Sequence, residues 1–206
     1  MNLNWANRFT ILRILLIAPF VSCMLQINDP ELSQHIRHLI RYSAVALFFL
    51  MAISDGIDGY LARKKKQSTK LGSFLDPTAD KLLITAACLL LASRHAGVEG
   101  FILPPTVVVL IIGKDVFIFL GFLILHFLTG KVRIVPVFAG KASTALQLAM
   151  VPAVLIAPEV SSVLPGWLYF VHLLWWAAAV AAVLAALVYI RVGSKLIEQF
   201  EQPNNH

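Results

Sequence analysis

Charge is scarce in this sequence: Asp, Glu, Lys and Arg make up 14% of 206 residues, against 59% hydrophobic. That balance excludes an ordinary soluble globular domain. Cysteine is scarcer still, with Cys23 and Cys88 each set inside an apolar run, which excludes a disulfide framework and leaves two small core residues. No internal repeat or low-complexity tract breaks the chain. Acidic residues are outnumbered 11 to 17 by basic ones, yet no basic helix or aromatic platform remains to bind bases, so the charge is not a nucleic-acid footprint.

What the sequence has instead is long apolar runs, and its mean hydropathy is +0.80. Crossing about 30 Å of hydrocarbon takes roughly 20 helical residues. Runs of that kind fall at 9–27, 40–62, 72–92, 101–128, 142–158 and 164–190, which predicts an all-α polytopic membrane protein of about six transmembrane helices, folded as one domain over 1–206. Breaks are expected at Asn28-Asp29-Pro30, in the lysine cluster after Arg63, and near 97–105, 129–140 and 158–165. An even number of spans puts both termini on one side. Arg8, Arg63, Lys64, Lys65, Lys66, Lys70, Lys131, Arg133, Lys141, Arg191 and Lys195 gather there, against Arg37, Arg41 and Arg94 opposite. The positive-inside bias then turns that face to the cytoplasm. His35, His38, His95, His126 and His172 show no ligand spacing and read as interfacial residues, while Trp167, Trp175 and Trp176 read as anchors of the last span.

Four carboxylates stand where a membrane protein should avoid them. Asp55, Asp58, Asp76 and Asp80 lie at the ends of the second and third runs, where an ionisable side chain is functional by default. The first two are three residues apart and the last two four apart, so on helices each pair projects from one face. Two such helices joined by a short loop would aim all four inward. Like charges gathered in a partly dry pocket are tolerable only with compensating protons or cations. An oxygen-only donor set favours hard ions such as magnesium, manganese or calcium over zinc. The plainer alternative, helix capping or pairing with Arg63, Lys70 and Lys81, suits one aspartate better than four.

The full pattern is Asp55-x-x-Asp58-Gly59-x-x-Ala62-Arg63, eight residues, then Gly72-x-x-x-Asp76-x-x-x-Asp80. It resembles the signature of the CDP-alcohol phosphatidyltransferase family at every defined position, and Asn7-x-x-Thr10-x-x-Arg13 is also similar to that family. The resemblance implies that Asp55, Asp58, Asp76 and Asp80 hold one or two metal ions, Mg2+ or Mn2+, with Asp80 also the general base. It further implies that Asp58, Gly59, Ala62, Arg63, Gly72 and Asp76 bind the CDP-lipid, and it leaves room for a homodimer, since members of the family often dimerise.

Within the family, Gln67-Ser68-Thr69 and the segment from Gly72 to Lys81 resemble phosphatidylglycerophosphate synthases. The implied reaction transfers the phosphatidyl group of CDP-diacylglycerol to glycerol 3-phosphate and releases CMP, in acidic phospholipid synthesis. Lys114, Lys131, Arg133 and Lys141 are the candidates for holding the acceptor phosphate. Lys114-Asp115, in place of the Arg-Glu common in that branch, and the stretch from Lys141 to Pro158 are similar to cardiolipin synthases instead, whose acceptor is phosphatidylglycerol. The same Lys114 and Asp115 also read as a mutually neutralising pair inside the membrane. A cation transporter is the rival from another class; all four aspartates gathering toward one face argues against it.

Overall fold

A computed structural model describes the backbone of residues 5–65, 70–129 and 137–201 and the side chains of 10–56, 78–124, 127, 137–195 and 198. Seven helices and no strand occur among the described residues: α1 (Trp5–Gln26), α2 (Gln34–Lys65), α3 (Lys70–Ala92), α4 (Pro105–Thr129), α5 (Phe138–Leu155), α6 (Ala157–Val163) and α7 (Trp167–Glu201). Each of the six apolar runs becomes a long helix. Four of them are long and apolar enough to cross a bilayer, over Gln34–Gly56, Pro105–Ile124, Phe138–Leu155 and Trp167–Lys195, and α1 adds a shorter apolar stretch, Thr10–Gln26. The protein is an all-helical polytopic membrane protein.

Helix ends depart from the apolar runs for identifiable reasons. α2 starts at Gln34 rather than near 40, because its first two turns are polar on one side, and hydrophobicity does not register a turn that faces a polar cavity. α4 starts at Pro105, where a missing N–H is harmless and the preceding Pro104 disfavours helix for its own neighbour. The fifth run is split at Ile156 (φ −93°, ψ 1°), and Pro158 does not end it but sits in the first turn of α6. α7 continues to Glu201, well past the expected 190; a helix need not stop where hydrocarbon does.

Packing divides the chain into two groups, Met1–Leu103 with Val151–Val171, and Pro104–Met150 with His172–His206. In the first, α1 packs against both α2 and α3. Phe20, Met24, Phe48, Met51, Leu83 and Ile84 are buried, and the rings of Phe20 and Phe48 lie 6.0 Å apart and tilted, within the range of favourable aromatic pairs. After α3 the chain turns sharply: the Asn28 side-chain amide donates to the Gly97 carbonyl at 2.7 Å. A Cβ on Gly97 would stand 2.5 Å from the Ser93 oxygen and 2.8 Å from the Leu91 oxygen, so only glycine fits there. The Trp167 indole N–H donates to the Ala153 carbonyl at 3.2 Å.

In the second group α7 buries an alanine stripe, Ala178, Ala179, Ala182 and Ala185, small residues of the kind that let membrane helices approach closely. Large apolar side chains remain uncovered on both groups, among them Leu15, Val109 and Leu173. In water such surface would drive aggregation; in a bilayer it faces lipid.

Candidate active site

The aspartate pattern lands on two helices, as its spacing predicts. Asp55 and Asp58 lie on α2, and Asp76 and Asp80 on α3. α1 is the neighbour common to both. Each pair therefore shares a helix face.

Asp55 is held from α1. The Arg13 guanidinium is buried, 1% exposed, and its Nη1 lies 2.6 Å from Asp55 Oδ1, while the Asp55 side chain remains 43% exposed. A buried cation needs a partner, and this close ion pair supplies one. The same contact holds the carboxylate from one side. Thr10, one turn before Arg13 in the same N-terminal pattern, is also buried. Sequence reasoning noted Arg13 and gave it no role. The signal was present, since an arginine in the middle of an apolar helix implies a carboxylate nearby.

Asp80 is half-buried on α3, between buried Ala79 and half-buried Lys81. The side chains of Asp58, Asp76, Gly59, Ala62, Arg63 and Gly72 lie outside the described residues, although their helices are defined. Among the described residues no three of His, Cys, Asp and Glu come together. The donor chemistry still fits a hard divalent ion. Asp55 offers a partly exposed carboxylate oxygen pre-set by Arg13, and no thiolate or imidazole intrudes.

Of the acceptor-phosphate candidates, Lys131 and Arg133 lie outside the described residues. Lys141 is exposed on α5. Lys114 is buried on α4, 4% exposed, with Nζ 3.1 Å from Asp115 Oδ1 and 3.5 Å from Ser143 Oγ. The Gln147 amide donates to the same hydroxyl at 3.0 Å. This is a neutralised, hydrogen-bonded cluster joining α4 to α5.

Comparison with known proteins identifies the family. The family model for CDP-alcohol phosphatidyltransferase matches residues 3–187. The chain is 34% identical over 161 residues to a Bacillus subtilis CDP-diacylglycerol--glycerol-3-phosphate 3-phosphatidyltransferase, covering 74% of this chain and 77% of that one. It is 37% identical over 115 residues to a protein of the same name from Pseudomonas fluorescens, covering 55% of this chain and about half, 52%, of that relative's length. A cardiolipin synthase (CMP-forming) from Rattus norvegicus is more distant, 28% identical over 171 residues, covering 75% of this chain and 54% of that one. With every motif position on the two helices that the spacing requires, and the family model running from α1 into α7, the chain belongs to the CDP-alcohol phosphatidyltransferase family.

Proposed function

We propose that the protein transfers the phosphatidyl group of CDP-diacylglycerol to a hydroxyl of glycerol 3-phosphate, releasing CMP. The observation that carries this reading is the aspartate pair-of-pairs on α2 and α3, with Asp55 braced by Arg13. The acceptor is supported by the bacterial relatives, which are named for glycerol 3-phosphate.

The chemistry asks three things of the chain. The acceptor hydroxyl must lose a proton as its oxygen forms the new bond to phosphorus, and in this reading Asp80 accepts it. The phosphorus–oxygen bond to CMP must break, with negative charge building on the leaving phosphate, and Arg63 is the cation of the motif available to meet it. The donor must be positioned, which falls to Asp58, Gly59, Ala62, Gly72 and Asp76, where small residues let a nucleotide approach backbone closely. A divalent ion, Mg2+ or Mn2+, held by Asp55, Asp58, Asp76 and Asp80 would neutralise the phosphoryl oxygens. Arg13 keeps one oxygen of Asp55 occupied so that the other stays turned toward the site. In this proposal the aspartate face and both termini lie on the cytoplasmic side of the membrane, following the distribution of lysine and arginine.

Phosphatidylglycerol as acceptor, with cardiolipin as product, is the second reading. The rat relative and the withdrawal of Lys114 into an ion pair with Asp115 favour it, because a phosphorylated acceptor would then rely on fewer cations. The test is CMP release from CDP-diacylglycerol by purified protein with Mg2+ or Mn2+ and, in separate reactions, glycerol 3-phosphate, phosphatidylglycerol, inositol phosphate or serine. Release with glycerol 3-phosphate and none with the others is expected. Release with phosphatidylglycerol alone selects the second reading, and none with any acceptor removes the enzyme. Asp80→Asn is expected to lower release by about 10²-fold or more with the fold intact; full activity in that variant removes Asp80 as the base.

A further inference from the structure

The first two turns of α2 build a polar cavity far from the aspartates. Gln34, Arg37, His38 and Arg41 fall at positions i, i+3, i+4 and i+7, one face of the helix, and all four line a cavity of about 280 Å³ completed by Asn28, Glu99 and a few neighbours. Arg41 and Asp55 are 14 residues apart on one helix, about 21 Å at 1.5 Å per residue. The cavity is thus separate from the catalytic region.

Its charges are sorted. Arg41, one-tenth exposed, is paired through Nη2 with Glu159 of α6 and lies 3.1 Å from His38 Nδ1; that ring nitrogen is 3.6 Å from Glu159 Oε1. Arg41 and His38 of this triad line the cavity. Two of its atoms, Arg41 Nε and Glu159 Oε2, are buried with no hydrogen-bond partner among the described residues. The half-buried Arg37 and the exposed Glu99, which also line it, make no ion pair among the described residues. One uncompensated cation and one uncompensated anion therefore border the same cavity.

A ligand that answers both needs carries a phosphate and an ammonium. The cavity is small beside the 300–1,000 Å³ of sites that enclose a whole organic ligand, which suits a headgroup with its tails outside. The membrane-crossing part of α2 begins at Gln34, itself a lining residue of the cavity, so tails leaving the headgroup enter the bilayer.

We propose that this cavity binds the headgroup of a zwitterionic phosphodiester lipid of the ethanolamine type, in the leaflet opposite the aspartate site. The phosphate meets Arg37, and the ammonium meets Glu99. An anionic headgroup would satisfy Arg37 and leave Glu99 repelled, and a soluble phosphate would do the same.

Purified protein in detergent is titrated with dioleoylphosphatidylethanolamine, dioleoylphosphatidylglycerol, soluble glycerophosphoethanolamine or inorganic phosphate, and binding is read as retained lipid in native mass spectrometry and as a rise in melting temperature. Phosphatidylethanolamine is expected to bind most strongly, Arg37→Gln to weaken it about tenfold, and Glu99→Gln to abolish the preference over phosphatidylglycerol. Glu99 is exposed and unbonded, so its variant keeps the test alive should Arg37→Gln fold poorly. Equal binding of both lipids by the wild-type protein, or no change in either variant, overturns the proposal. Soluble glycerophosphoethanolamine or phosphate binding as well as the lipid overturns its lipid part. CMP release, measured in parallel, reports on the aspartate site alone, so either reading can fail without the other.

Discussion

Arg13 Nη1 lies 2.6 Å from Asp55 Oδ1, joining an almost fully buried guanidinium on α1 to a half-open carboxylate on α2. In the proposed mechanism this ion pair makes α1 part of the catalytic region, although none of the four motif aspartates lies on it, and Arg13 acts as a positioning residue.

Its removal should therefore act through Asp55. Arg13→Gln is expected to lower metal affinity or activity by about 10- to 100-fold, the usual effect of losing the partner that orients a metal-ligating group. The discriminating measurement is the metal concentration for half-maximal CMP release, which should rise more than KM for CDP-diacylglycerol. Arg13→Lys should recover part of the loss, because it keeps the charge and loses the fork geometry. If half-saturating metal is unchanged while the protein merely melts earlier, Arg13 is a packing residue only.

The Lys114 cluster gives a prediction with an internal control. Lys114→Met leaves Asp115 buried without its cation and should destabilise the protein by about 3 kcal/mol, whereas Lys114→Met with Asp115→Asn should recover most of that. Melting temperature reads the stability and KM for glycerol 3-phosphate reads the acceptor. Recovery of both in the double variant assigns the pair to packing. Recovered stability with a raised KM assigns Lys114 to the acceptor site.

Gly97→Ala should destabilise by about 1–3 kcal/mol, the range for overpacking against atoms that cannot withdraw, since the backbone oxygens of Ser93 and Leu91 are in the way. The loss is measured as a lower melting temperature. Activity per folded molecule should be unchanged, because the turn lies at the other end of α3 from Asp76 and Asp80.

Orientation can be read by labelling. Arg94 and Lys195 are both exposed and fall on opposite sides in the proposed topology. A membrane-impermeant maleimide applied to intact cells should modify Arg94→Cys and spare Lys195→Cys until the membrane is permeabilised. The native Cys88 is buried and Cys23 partly so, which keeps the background low. The reverse pattern would invert the topology.

The helices and the spacing of the site were legible in the residue order because both depend on local periodicity. An apolar run of about 20 residues has few options in a bilayer, and carboxylates at i, i+3 or i, i+4 share a face wherever the helix sits. The Asp55-to-Asp80 motif could thus be placed on α2 and α3, and the family recognised, without knowing which helices touch. Partner choice was not legible, because it joins residues distant in the chain. The run around Arg13 implies a carboxylate partner but does not say that it stands 42 positions later. Arg41 and Glu159, counted in the sequence as one topology marker and one loop residue, became an ion pair of a buried arginine and a half-buried glutamate only when α6 was brought against the first turns of α2. Periodicity is a property of neighbouring residues and survives in one dimension; charge compensation is a property of space, and folding in three dimensions settled who neutralises whom.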